Sequence, residues 1–319
     1  MSSGFKVPLH ILLLWLVILQ GQARYIEKNE VVEDTLGLLN TELKRELSQG
    51  YIYSRNLKCV DMLSVDGRFT FSADQPQLHC GTFFIGNPDE IISLEYNYVN
   101  IDCQGGDFLK VFDGWILKGE KFPSTLDHPL PTSERYTDFC DSNNIRTEIR
   151  SSQNVAMLFF RIHTPGNGFT LTVKKLVNPF PCNVISQTPD GRFTLVIPHQ
   201  KRNCSFSIIY PTEIRISELT LGHFNDLQIP AQSCAGATDF VQLLGGNRLD
   251  PSRMYPVADI CYSFSGPAQM KVSCDNTVVR IVSSGKYINR LTFEYSQLGR
   301  HELDKQNENG VEDFCYAAD

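Results

Sequence analysis

Alternation of apolar and polar residues runs through most of this chain. Phe169, Leu171 and Val173 alternate with Thr170 and Thr172, and Leu291, Phe293 and Tyr295 alternate with Thr292 and Glu294. Ile214 and Ile216 alternate with Glu213, Arg215 and Ser217. A period of two sends one set of side chains inward and the other outward, so each segment predicts a half-buried strand. Val155-Ala156-Met157-Leu158-Phe159-Phe160 is a continuous apolar run and predicts a strand buried on both faces. Turn pairs separate these runs: Asp66-Gly67, Asp113-Gly114, Gly166-Asn167-Gly168, Asp190-Gly191 and Gly245-Gly246. Many short strands at such spacing predict an all-β sandwich architecture. The two ends read differently. Residues 24–57 are charged up to the first cysteine, and Leu39, Leu43 and Leu47 recur every four residues, which predicts a short amphipathic helix. Residues 299–313 are polar and read as loop.

The pattern is duplicated. Asp66-Gly67-Arg68-Phe69-Thr70 returns as Asp190-Gly191-Arg192-Phe193-Thr194. Cys59, Cys80, Cys103 and Cys140 map onto Cys182, Cys204, Cys234 and Cys261 at offsets of 121 to 131. Asp107-Phe108-Leu109 corresponds to Asp239-Phe240-Val241. A repeat of that length is a whole domain, far longer than a solenoid unit. The expected organisation is a first sandwich over 58–177, a second over 178–298 and a tail over 299–319.

The N-terminus places the chain in the secretory pathway. Lys6 precedes the apolar core Ile11–Leu19, and Gly21-Gln22-Ala23 presents small residues for cleavage after Ala23. A span of nine apolar residues is too short for a bilayer, which needs about 20. Removing 1–23 from the 319 residues leaves 296, and loss of Lys6 shifts the formal charge from −7 to −8. An acidic chain without a basic run is a poor partner for nucleic acid or anionic membrane. All ten cysteines, the last two being Cys274 and Cys315, lie beyond the leader. An even count in an oxidising compartment predicts disulfides, and no pair is close enough for a zinc site. Asn203-Cys204-Ser205 is a glycosylation sequon and predicts exposure at Asn203.

Catalytic chemistry finds no motif. The seven histidines are scattered, with neither a His-Glu-x-x-His helix nor a Gly-x-Ser-x-Gly elbow. No cofactor loop is present, so the expectation is a binding protein that is not an enzyme. Trp115 opens the apolar triplet Trp115-Ile116-Leu117 after the Asp113-Gly114 turn. Such a triplet either meets the apolar face of a peptide helix or packs beneath its own loop.

The duplicated unit resembles the CUB domain. The likeness rests on the paired cysteines and on Cys103-x₃-Asp107-Phe108-Leu109-Lys110-Val111-Phe112-Asp113-Gly114. It implies two tandem jelly-roll-like sandwiches, each closing its first cysteine to its second and its third to its fourth. With each copy self-contained, that gives Cys59–Cys80, Cys103–Cys140, Cys182–Cys204 and Cys234–Cys261, and leaves Cys274 to Cys315. Many CUB domains bind calcium, and Asp107 matches one ligand. The remaining acidic ligands are missing around Asp102 and Arg161-Ile162-His163, so no metal is expected and a calcium-dependent adhesion module is the rival reading. The whole chain resembles the secreted corticotropin-releasing factor-binding family, through residues 102–123, 180–189 and 266–272. That resemblance implies capture of corticotropin-releasing factor and related urocortin-type peptides, with Arg55 and Asp61 as peptide contacts.

Overall fold

The computed structural model describes residues 52–76, 79–117, 119–140, 148–222, 234, 236–307 and 315. The leader and the helix expected around Leu39–Leu47 lie outside them. The first half contributes twelve strands. These are β1 (Ser54–Asn56), β2 (Val60–Leu63), β3 (Gly67–Ser72), β4 (Cys80–Ile85), β5 (Glu90–Asn100) and β6 (Phe108–Asp113). They continue with β7 (Trp115–Leu117), β8 (Glu120–Phe122), β9 (Tyr136–Asp138), β10 (Glu148–Arg150), β11 (Val155–Arg161) and β12 (Gly168–Val177). Two five-stranded sheets, β1-β3-β12-β5-β10 and β2-β4-β11-β6-β9, form the faces of a sandwich, and β7-β8 is a separate hairpin.

The second half repeats the plan with β13 (Val184–Ser186), β14 (Asp190–Pro198), β15 (Lys201–Ile208), β16 (Thr212–Thr220) and β17 (Phe240–Gly246). It ends with β18 (Tyr255–Ile260), β19 (Phe264–Val272), β20 (Asn276–Ser284) and β21 (Ile288–Gln297). Its sheets run β13-β15-β20-β17-β18 and β14-β21-β16-β19. The first corresponds strand for strand to β2-β4-β11-β6-β9, and the second lacks a counterpart of β1. The protein is therefore all-β, with two tandem CUB-like jelly-roll sandwiches.

Alternation explains both cores. Phe169, Leu171 and Val173 are buried, as are Ile214, Ile216, Leu291 and Phe293. In the first core Phe71 meets Phe160 edge-on at 4.6 Å and Phe160 meets Phe169 at 5.0 Å. In the second, Phe206 meets Phe293 at 5.2 Å. Burying each such side chain contributes about 1.5–3 kcal/mol. The run in β11 departs from expectation at one position. Phe159 is only half buried, because its side of the sheet is not fully covered there.

Five disulfides brace the two halves: Cys59–Cys80, Cys103–Cys140, Cys182–Cys204, Cys234–Cys261 and Cys274–Cys315. Cross-links of this kind stabilise chiefly by restricting the unfolded chain. The tail is not loop throughout: helix α1 covers Arg300–Asn307. Its start is set by Glu302, whose carboxylate accepts from the Gly299 N–H at 3.2 Å while the Glu302 N–H donates to the Gly299 carbonyl at 3.0 Å. Lys271 on β19 reaches Glu302 at 2.6 Å.

Candidate functional site

Residues 54–63 carry the chain from one sheet of the first sandwich to the other. β1 pairs in parallel with β3, placing Arg55 opposite Phe69, and β2 pairs in parallel with β4, placing Asp61 opposite Thr82. The Cys59–Cys80 bridge pins the crossing. Within it the Arg55 guanidinium forms an ion pair with Asp61 Oδ2. That same oxygen accepts from the Lys58 N–H at 3.1 Å, and Asp61 Oδ1 accepts from the Met62 N–H at 3.1 Å. The aspartate closes the turn, and its charge fixes the plane of a five-donor guanidinium suited to a carboxylate. The structure thus brings two of the sequence-selected residues together at one sandwich rim. In the second copy the matching positions are Asn178 and the buried Val184.

Trp115 sits elsewhere. It is 8% exposed and packs on Phe83 at 5.4 Å, in a cluster with Phe112, Phe122, Met157 and Ile185 of the second sandwich. Contact on an exposed loop does not describe its position. The cause is local. Gly114 has φ 114°, and a Cβ there would lie 2.2 Å from the Phe122 carbonyl oxygen. The turn therefore folds the β7-β8 hairpin back on the sheet. Arg135 clamps it, donating to the Asp113 carbonyl at 3.0 Å and the Pro123 carbonyl at 2.9 Å, with its guanidinium 4.5 Å from the Phe112 ring. Burial pushes the Arg135 guanidinium down to about 10, against the opposing pull of Asp113, so it stays charged at neutral pH.

The segment after this hairpin joins the sandwiches. Asp127 Oδ1 pairs with Arg280 of β20 at 2.7 Å, and its Oδ2 accepts from the Ser205 hydroxyl at 2.7 Å. Asn154 donates to the Ile185 carbonyl at 2.8 Å and accepts from its N–H at 3.0 Å. Asn203 is half buried, short of the exposure its sequon predicts, because its amide donates to the Leu126 carbonyl at 3.1 Å. It lines a groove of about 870 Å³ with Leu126, Asp127, His128 and Lys201. Nothing in the sequence signals the Asp127–Arg280 pair, whose members lie 153 positions apart.

The candidate calcium ligands are occupied by the protein's own donors. Asp107 is buried. Its Oδ1 accepts from the His163 N–H at 3.0 Å and approaches the His163 ring at 2.8 Å, while Oδ2 accepts from the Asp102 N–H at 3.2 Å. Asp239 repeats the role, accepting from the Ser284 N–H at 3.0 Å, the Asn289 amide at 2.7 Å and the Thr238 hydroxyl at 2.8 Å. Burial raises both carboxyls, but the hydrogen bonds outweigh it and hold each below the usual range. Both residues tie the loop before a central strand to the last strands of the sandwich. Among the described residues no group of three or more His, Cys, Asp or Glu could hold a metal ion.

The fold defines a class of protein built from two disulfide-braced CUB-like sandwiches joined through buried polar contacts. Residues 51–177 match the corticotropin-releasing factor binding protein N-terminal domain, and residues 184–304 match the corresponding C-terminal domain. The chain belongs to that family. It is 63% identical over 318 residues to the Homo sapiens corticotropin-releasing factor-binding protein, covering 99% of each chain. It is 62% identical over 312 residues to the Xenopus laevis protein of that name, covering 97% of each. The CUB1-EGF-CUB2 domains of rat MASP-1 align with 76% of this chain and all of theirs, at 11% identity and a TM-score of 0.26, too low to carry weight.

Proposed function

We propose that this chain is a secreted binding protein that captures corticotropin-releasing factor and related urocortin-type peptides and limits their access to receptors. The carrying observation is the match to both domains of a family named for binding that peptide, with relatives aligned over nearly the full length. The leader-like N-terminus, cut after Ala23, and the braced cysteines support secretion. The functional unit divides into a segment over 24–57, sandwiches over 58–177 and 178–298, and a tail over 299–319, with Asn203 as a glycan acceptor. Peptides of this kind are largely disordered when free, so their ordering opposes binding. A preformed, cross-linked surface adds little ordering cost of its own. Arg55 and Asp61 contact the peptide at the rim. The protein is not an enzyme and needs no cofactor.

Titration of a labelled corticotropin-releasing-type peptide, with and without a chelator, tests this. Saturable binding indifferent to chelation, with the peptide's mass unchanged after long incubation, is expected. Binding that vanishes with the chelator points to the calcium-dependent adhesion module, and a cleaved peptide to an enzyme.

A further inference from the structure

Two turns at one end of the second sandwich bring cations together. β14 ends at Pro198 and β15 begins at Lys201, while β20 ends at Ser284 and β21 begins at Ile288. The ladder sets Lys201 opposite Ser284. His199, with φ 49°, ties one turn to the other by donating its N–H to the Tyr287 carbonyl at 3.1 Å. Gly285, with φ 85°, lets the two backbones touch, because a Cβ there would lie 2.7 Å from the Lys201 nitrogen. Lys286 follows directly. Lys201 and Lys286 therefore leave neighbouring stretches of backbone, although they are far apart in the sequence.

Their charge is not compensated locally. Both lysines are exposed, and neither pairs with a carboxylate among the described residues. Arg202 beside them is half buried and donates to the neutral side-chain oxygen of Gln200 at 3.0 Å. The carboxylates on the surrounding elements are already taken. Asp127 pairs with Arg280, Asp239 accepts from Ser284 and Asn289, and Glu218 pairs with Arg290 at 3.5 Å. Positive charge thus collects at one end of a chain whose formal charge is −7. The first copy has no such pair. Gln77 precedes Cys80 as Lys201 precedes Cys204, and Pro165 follows Phe160 as Lys286 follows Ile281, which face those two cysteines across equivalent ladders.

Lys201, Arg202 and Lys286 line the groove of about 870 Å³, and Lys286 with His199 also lines a neighbouring cavity of about 650 Å³. One small anion would need a single pocket. Two openings that share a lysine suit a chain carrying anions at intervals. The geometry points to a binding site for a sulfated glycosaminoglycan at this end of the second sandwich, with Lys201 and Lys286 as its main contacts and Arg202 beside them. An ammonium group meets a sulfate as a compact point charge, and each contact releases a counterion from the polyanion. Such a site holds a secreted protein in the extracellular matrix. The inference goes beyond the peptide-binding reading, takes only secretion from it, and uses neither Arg55 nor Asp61.

Chromatography of the full secreted protein on immobilised heparin tests this. The parent is expected to be retained at low ionic strength despite its net negative charge, and to elute with salt. Lys201→Gln and Lys286→Gln should each elute earlier and flatten the slope of log affinity against log salt by about one. Lys286→Arg should keep the retention. Lys174→Gln, at an exposed lysine on β12, changes the net charge equally and should elute with the parent. Both glutamine variants at the site should titrate a corticotropin-releasing-type peptide as the parent does, which separates failure of this site from failure of the peptide-binding reading. An unretained parent, or Lys201→Gln and Lys286→Gln eluting with the parent, overturns the proposal. Loss of peptide binding in both variants overturns a separate site. Inorganic sulfate displacing the protein as well as heparin does, at equal sulfate concentration, marks a small-anion site instead. Asn203 lines the same groove, so retention that disappears in Asn203→Gln assigns the binding to its glycan and overturns the lysine site. Binding to phosphatidylserine vesicles without retention on heparin makes the partner a membrane and overturns it as well.

Discussion

The two sandwiches share a strand order and differ at one edge and one face. The first has the additional strand β1, and with it Arg55 beside Asp61. The second has no such strand, and its residue matching Asp61 is the buried Val184. On the outer face, Gly81 and Phe159 in the first give way to Ser205 and Arg280 in the second, and among the described residues the second row alone is taken up by a segment of the same chain. One copy has turned this face into an internal joint. The other keeps Val60 and Met62 exposed on this face, with the Arg55–Asp61 pair on the other side of β2. Duplication supplies two equivalent surfaces, and what lies on each decides whether it binds inward or outward.

The joint is where the largest effect is expected. Arg280→Ala strands the buried Asp127 carboxylate, and breaking a buried pair on one side costs about 3–5 kcal/mol. Chemical denaturation should show that loss, together with earlier exposure of Ile185 and its neighbours. A loss under about 1 kcal/mol, within the range of exposed ion pairs, contradicts the buried joint. Trp115→Ala should cost about 3–5 kcal/mol through loss of core packing, while folded protein keeps its peptide affinity. The reverse result, intact stability with lost binding, would restore Trp115 as a contact.

The smallest effect concerns the paired loop anchors. Asp107 and Asp239 hold their carboxyls below the ordinary value of 3.8. A depressed carboxyl stabilises the fold above its unfolded value and loses that contribution as the pH falls through the folded value. The parent should therefore lose stability below about pH 4, and Asp107→Asn and Asp239→Asn should each flatten that fall. Melting temperatures measured in steps from neutral pH to pH 2 check this; identical slopes in parent and variants refute it.

Much of this architecture was legible beforehand for a physical reason. Strand alternation and the repeated cysteines are local patterns, so the two all-β copies and their inward faces at Phe169–Val173 and Leu291–Tyr295 follow from them. Contacts across the joint are not local. Asp127 and Arg280 carry no mark of each other in the sequence, and Trp115 reads equally as a loop contact or as core until the Gly114 turn and the Arg135 clamp are seen. Val60 and Met62 alternate around Asp61 as any strand would, and nothing local shows that their side chains stay exposed beyond the joint. The tail helix leaves no local mark in the sequence, because its start depends on one reciprocal contact between Gly299 and Glu302 in an otherwise polar stretch.

The central claim is that the first sandwich and its charged rim carry the peptide. Calorimetric titration of one corticotropin-releasing-type peptide into the parent, Arg55→Ala, Asp61→Ala and Lys201→Ala tests it most directly, because Lys201 belongs to the second copy. A charge-assisted contact is worth about 1.5–3 kcal/mol, so both rim variants should bind about tenfold or more weakly, while Lys201→Ala binds as the parent does. Parent-like affinity in Arg55→Ala and Asp61→Ala, with the fold intact and the loss confined to Lys201→Ala, would contradict the account and move the site to the second sandwich.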